Sequence, residues 1–150
     1  MSEDHAAAIV AVISDRDAPA LAMAESRGWT AHRLENHADG DEWLRILDQC
    51  GADLLVLAGY LKLVPRSVVQ AYSGRIINIH PALLPRHGGP GMYGGRVHSA
   101  VLASGERESG ATVHLVDAEY DRGEILGQAR VPVLPDDTPA TLAARGLEVE

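Results

Sequence analysis

Three short apolar-rich runs, residues 7–14, 53–58 and 75–80, constrain what this chain can fold into more than any other feature. Each has strand length. A continuous rather than alternating apolar run fits a strand covered on both faces, as in a parallel sheet. Between the runs lie stretches with helical punctuation. Residues 18–27 read as a helix stopped by Gly28, and residues 41–50 carry Trp43, Leu44 and Leu47 at helical spacing ahead of Gly51. Residues 64–72 suggest a further helix ending at Gly74, and residues 29–32 a short strand. Later, residues 97–103 read as a helix, 111–116 and 124–133 as strands around a turn at 120–123, and 138–145 as the start of a last helix. This alternation predicts an α/β fold: a doubly wound, mostly parallel sheet with right-handed crossovers and an antiparallel hairpin near the C-terminus.

At 150 residues, with no internal repeat or linker, the chain suits one domain with a substantial core. Its formal net charge of −8 argues against nucleic acid as a partner, so any anionic ligand must be held by local donors. The single cysteine, Cys50, excludes an internal disulfide and fits a reducing cytoplasm. It sits at a helix end and reads as a packed thiol, not a nucleophile. No apolar stretch reaches membrane-spanning length, and the acidic start lacks the basic region of a signal peptide. A cytoplasmic chain with no membrane partner is expected.

The third run ends in Asn78-Ile79-His80 and stops at Pro81, which offers the ladder no donor and restricts its predecessor. Polar groups where a buried strand ends sit where open α/β sheets place their ligands. Asn78 and His80, two residues apart on an extended strand, point to one side. An amide donor beside a group that titrates near neutrality suits holding an oxyanion and moving a proton. Residues 88–95 contain five glycines in eight positions and read as a mobile loop. Plainer readings stand beside these: His80 alone fits a hydrogen-bonded strand-end histidine, and Asp121, in Asp121-Arg122-Gly123, a turn residue. His80, His87, His98 and His114 lack metal-ligand spacing, so no metal is expected.

Four segments together carry a resemblance. They are Asn78-Ile79-His80-Pro81-Ala82-Leu83-Leu84-Pro85, the glycine-rich stretch 89–94, Ser109-Gly110-Ala111-Thr112-Val113-His114, and Tyr120-Asp121-Arg122-Gly123. Over residues 10–150 the chain resembles the folate-dependent formyltransferases, and Gly91-Met92-Tyr93-Gly94 resembles the branch that formylates glycinamide ribonucleotide. The resemblance implies 10-formyltetrahydrofolate as co-substrate, glycinamide ribonucleotide as acceptor, and a monomer or homodimer with small-molecule partners only. It implies Asn78, His80 and Asp121 as catalytic residues: Asn78 and His80 hold the formyl oxygen with His80 as proton donor, Asp121 keeps His80 cationic and helps move the proton, and His114 supports the pair from behind. It places folate at Leu61, Lys62, Leu63, Val64, Asn78, Asp117, Ala118, Glu119, Tyr120 and Asp121. Leu147, Glu148, Val149 and Glu150 fall where the family contacts the ribonucleotide.

The chain also departs from that family. Its first strand matches the family's second, so the resemblance implies one catalytic domain over residues 1–150 without the first strand, the Gly-rich phosphate loop and the C-terminal helix. Without the loop, folate is expected to bind better than the ribonucleotide. Competing expectations are a hydrolase that passes the formyl group to water, and a folate-binding fragment without turnover. Transfer to a tRNA would call for a further RNA-binding domain and a basic surface.

Overall fold

The computed structural model describes residues 7–117 and 121–150, so the expected folate contacts Ala118, Glu119 and Tyr120 lie outside the described residues. In chain order the elements are β1 (Ala11–Ser14), α1 (Pro19–Ser26), β2 (Thr30–Arg33), α2 (Gly40–Cys50), β3 (Leu55–Ala58), α3 (Arg66–Ala71), β4 (Ile76–His80), α4 (Gly95–Ala103), β5 (Glu108–Leu115), β6 (Ile125–Pro132) and α5 (Pro139–Leu147). They fall into two compact units, residues 1–53 with 64–68, and residues 54–63 with 69–150. Each unit holds its own sheet.

In the first unit β1 and β2 pair in parallel, Ala11 opposite Thr30 through Ser14 opposite Arg33, with α1 as the crossover that a parallel pair requires. Pairing begins at Ala11 because β2 begins at Thr30. Ile9 and Val10, inside the expected strand, therefore stay outside the ladder and are 52% and 41% exposed. The Asp39 carboxylate caps α2 by accepting from the Asp41 and Glu42 amides, and Gly51 ends the helix at φ 63°, a left-handed position that glycine takes freely. Trp43, Ile46 and Leu47 share the face that α2 buries. Trp43 also donates its indole N–H to the His37 carbonyl at 3.0 Å. Cys50 is the packed thiol expected, its Sγ 3.6 Å from His32 Nε2.

The second unit carries a four-stranded sheet in the order β3-β4-β5-β6. β3 and β4 are parallel, and both β4–β5 and β5–β6 are antiparallel. The hairpin expected near the C-terminus thus joins the parallel strands through β4. Val101, Val131 and Leu142 pack a core between α4, β6 and α5, with Leu102 and Val133 at its margin. Thr138 caps α5 reciprocally with Thr141. No helix among the described residues is long and apolar enough to cross a membrane.

Candidate active site

Register alone assembles the first site residues. β4 runs against β5 with Asn78 opposite His114 and His80 opposite Thr112. Directly opposed residues share a face, and so do alternate residues along a strand, which gathers four polar side chains on one side of the sheet. The Asn78 amide lies 3.1 Å from His114 Nε2. A bulge-like register shift at Val113 and His114, against β6, falls beside this pair.

Asp121 enters from the turn after β5 with φ 53°, a left-handed backbone uncommon for a side-chain-bearing residue. Gly123 permits the turn to approach, since a Cβ there would collide with the Leu115 carbonyl. Asp121 Oδ2 is 3.6 Å from His80 Nδ1 and accepts the Gly89 N–H at 2.9 Å, while Oδ1 is 3.4 Å from His114 Nε2. His80 and His114 are only 3% and 2% exposed, so solvent screens these contacts little.

Donor direction fixes the ring states. A carbonyl only accepts, so His80 donates Nε2–H to the His87 carbonyl at 2.8 Å, and His114 donates Nδ1–H to the Leu115 carbonyl at 2.9 Å. Burial pushes the His80 pKa below its ordinary value, outweighing the opposing pull of Asp121, the His87 carbonyl and Glu150. For His114 burial also works downward, but the hydrogen bonds to Asp121 and the Leu115 carbonyl win and raise it. Burial works upward on Asp121, yet the His114 and Gly89 hydrogen bonds and the His80 charge hold it below its usual range. The shifts run in opposite directions, so His114 favours its charged form more, and His80 less, than an ordinary histidine does. Asp121 pulls the His80 pKa upward, in the direction the resemblance implies, while burial pulls it downward more strongly. The Asn78 atom at 3.1 Å is its amide nitrogen, which donates to Nε2 of a neutral His114 and keeps its second N–H for another acceptor.

The remaining expected positions divide. Leu61, Lys62 and Leu63 are exposed and follow β3, whose parallel register sets Ala58 beside Ile79, so they leave the sheet at the His80 end. Val64 is buried and belongs to the first unit. Asp117 is exposed and its charge reaches His114. Leu147, Glu148 and Val149 are exposed at the end of α5, and the Glu150 carboxylate acts on His80 through its charge. Among the described residues no group of His, Cys, Asp and Glu is arranged to hold a metal ion.

Sequence reasoning gave no site role to three contributors. Thr112 is fully buried; its hydroxyl donates to the Ala82 carbonyl at 2.6 Å and accepts from the Leu84 N–H at 3.0 Å. Glu106 binds His87 Nε2 at 2.9 Å. His98, in α4, is 6% exposed with Nδ1 unpartnered, and the charge of His80 acts on it. Only the β-strand alternation of Thr112 with His114 offered a signal for any of them.

The whole chain, residues 1–150, matches the formyl transferase family, and it belongs to that family. It is 55% identical over 109 residues to the chloroplastic phosphoribosylglycinamide formyltransferase of Arabidopsis thaliana, an overlap of 73% of this chain and 37% of that protein. To the phosphoribosylglycinamide formyltransferase of Haemophilus influenzae it is 35% identical over 156 residues, covering 99% of this chain and 71% of the relative. The crystal structure of phosphoribosylglycinamide formyltransferase from Anaplasma phagocytophilum shares the fold with a TM-score of 0.88 at 33% identity, over 99% of this chain and 69% of that one. The chain thus spans little more than a third of the Arabidopsis relative, 37% of its length. Because that relative is chloroplastic, family membership does not carry the cytoplasmic expectation.

Proposed function

We propose that this chain transfers a formyl group from 10-formyltetrahydrofolate to the amine of glycinamide ribonucleotide, a step of purine synthesis. The cluster of buried His80 and His114 with half-buried Asn78 and Asp121 carries this reading, because it brings an amide donor and an imidazole together. The substrate amine attacks the formyl carbon, forming a C–N bond while the carbonyl electrons move to oxygen. The Asn78 NH2 donates to that oxygen, an interaction worth about 10²–10³ in rate at comparable sites. His80 Nδ1 takes a proton from the amine, and the imidazolium formed faces Asp121 Oδ2, 3.6 Å away. As the bond from the formyl carbon to the folate nitrogen breaks, the same proton passes to that nitrogen. His114 holds the carboxylate in place throughout.

Folate is assigned to Leu61, Lys62, Leu63 and Val64 and to the segment 117–121, and the ribonucleotide to Leu147, Glu148, Val149 and Glu150. Support for the first is that residues 61–63 leave the sheet at the His80 end. For the second it is the electrostatic reach of Glu150 to His80. The test is turnover of the purified chain with both substrates, following tetrahydrofolate by absorbance and formylated ribonucleotide by mass spectrometry. Formylated product that disappears in His80→Ala supports the reading. A folded chain that yields no product overturns it, and formate without formylated amine would make water the acceptor.

A further inference from the structure

The segment between β4 and α4 holds His80 in place through a residue that no motif marks. His87 lies at φ 55°, a left-handed backbone uncommon for a residue with a side chain, although histidine takes it more readily than most. Its carbonyl is the acceptor for His80 Nε2–H at 2.8 Å. Glu106 stands in the turn between α4 and β5, and its Oε1 lies 2.9 Å from the His87 ring nitrogen Nε2 and 3.4 Å from the Arg86 guanidinium. The His87 and Glu106 side chains are 14% and 20% exposed, whereas Arg86 is 72% exposed. The histidine contact is therefore the stronger of the two.

We propose that Glu106 is a positioning residue for formyl transfer, holding the His87 peptide in its left-handed state so that its carbonyl fixes the His80 ring. The proposal rests on the reading of His80 as the proton carrier. Without Glu106 the His87 ring is released, and the backbone can relax toward negative φ, where L-residues prefer to lie. The carbonyl then turns from His80, and Nδ1 loses its aim. Thr112 and Gln128 still tether Leu84, and Asp121 still holds Gly89, so the loop stays attached at both ends while its middle shifts. Misaiming a reacting group by about 1 Å can cost about 10²-fold in rate without touching ligand affinity.

Four variants, Glu106→Ala, Glu106→Gln, His87→Gly and the Glu106→Ala/His87→Gly pair, separate positioning from bracing. Two readouts apply to each: kcat and KM for 10-formyltetrahydrofolate, and the NMR titration of the His80 ring proton. Asp121, His114, Glu150 and His98 also act electrostatically on or beside His80 and are unchanged in every variant. Glu106→Ala is expected to lower kcat about tenfold to a hundredfold with KM within about twofold. The His80 midpoint should fall, because its protonated form loses an acceptor. Glu106→Gln keeps an acceptor for His87 and should stay within about threefold of the parent. His87→Gly removes the ring that Glu106 grips and frees the backbone, so it should fall to about the Glu106→Ala level, and adding Glu106→Ala to it should change little.

An undiminished Glu106→Ala enzyme with an unmoved His80 titration overturns the proposal. So does a further loss when Glu106→Ala is added to His87→Gly, a comparison that decides the matter even if Glu106→Ala alone unfolds. If the parent chain shows no turnover at all, the functional reading fails, and the titration still decides the positioning role.

Discussion

Two turns in the second unit are each tied down by an acidic side chain, yet they are built in opposite ways. The turn between β6 and α5 closes on itself. Asp137 accepts from the Leu134 N–H, the Thr141 hydroxyl and both terminal nitrogens of Arg145, at sequence separations of 3, 4 and 8. The loop after β4 has local bonds, from the Ala82 N–H to the His80 carbonyl and from His80 Nε2–H to the His87 carbonyl, but its side-chain anchors lie far off. Its Ala82, Leu84, His87 and Gly89 find partners on Thr112, Gln128, Glu106 and Asp121, at separations of 19 to 44. The two non-glycine residues with left-handed backbone among the described residues, His87 and Asp121, belong to this second arrangement. A turn closed locally can form before the sheet does. A loop closed by distant groups keeps its shape only once the sheet is assembled, and can hold strained residues because several contacts over-determine them. The difference separates a turn that stabilises α5 from one that aims chemistry.

The comparison breaks most sharply at His80. His80→Ala and Asp121→Ala are each expected to lower formyl transfer about 10²–10⁴-fold, the usual worth of a general acid or base. Thermal unfolding should shift little for His80→Ala and more for Asp121→Ala, which leaves the Gly89 N–H and His114 without their carboxylate. Both serve one proton path, so the double variant should be scarcely slower than the worse single one. Additive losses would mean the two act independently.

Thr112→Val comes next, and it strikes the distant tethers. Valine keeps the shape but cannot donate to the Ala82 carbonyl or accept from the Leu84 N–H and the Gln128 amide. Each buried polar group left unpaired costs about 1–3 kcal/mol. Urea unfolding should show a loss at the upper part of that range or beyond, together with slower transfer as the loop loosens.

The charges in the site make stability depend on pH from both sides. The raised His114 pKa contributes stability that is fully present below its unfolded value near 6.5 and is lost as pH rises through the folded value. The lowered His80 pKa contributes stability that is present above 6.5 and is lost as pH falls. Asp121 likewise contributes above its ordinary value of 3.8 and weakens as pH falls through its lowered one. Unfolding midpoints at about pH 5, 7 and 9 should peak in the middle, and His114→Asn should remove the alkaline decline. Transfer through neutral His80, as proposed, should rise with pH on the acid side with a midpoint below 6.5. A midpoint above that value would mean His80 works as a cation.

Much of this was legible in the chain because local chemistry dictated it. Asn78, His80 and Pro81 mark a strand end through alternation and a missing donor, and Gly51 marks the stop of α2 through its freedom at positive φ. Non-local pairing was not legible. Asn78 meets His114 across 36 residues, and the register that joins them depends on both strands at once. The opposite pKa shifts of His114 and His80 follow from burial and from the hydrogen bonds each ring makes, and neither is encoded in spacing. Glu106 follows a glycine in an ordinary helix-ending turn, and nothing nearby hints at His87 nineteen residues away. Residues 7–10 looked like strand because apolar runs announce burial, but a strand extends only as far as its partner allows.

The smallest effect belongs to the locally closed turn. Thr138 caps α5 by accepting the Thr141 N–H at 3.2 Å, while the Thr141 hydroxyl accepts the Thr138 N–H at 2.9 Å. Removing a threonine cap costs about 1 kcal/mol in most proteins. The Thr138→Ala loss should be no larger here, because the Thr141 hydroxyl also donates to Asp137 at 2.8 Å and Arg145 grips that carboxylate at 2.6 and 2.9 Å, so the turn stays closed without the cap. Formyl transfer should be unchanged, since no residue of this turn contacts the cluster around His80. Side-by-side urea titrations of Thr138→Ala and Thr112→Val test the contrast. If the exposed cap costs as much as the buried tether, or if its loss slows transfer, then local closure and distant anchoring are not separate devices in this fold, and α5 reaches the site by a route other than the charge of Glu150.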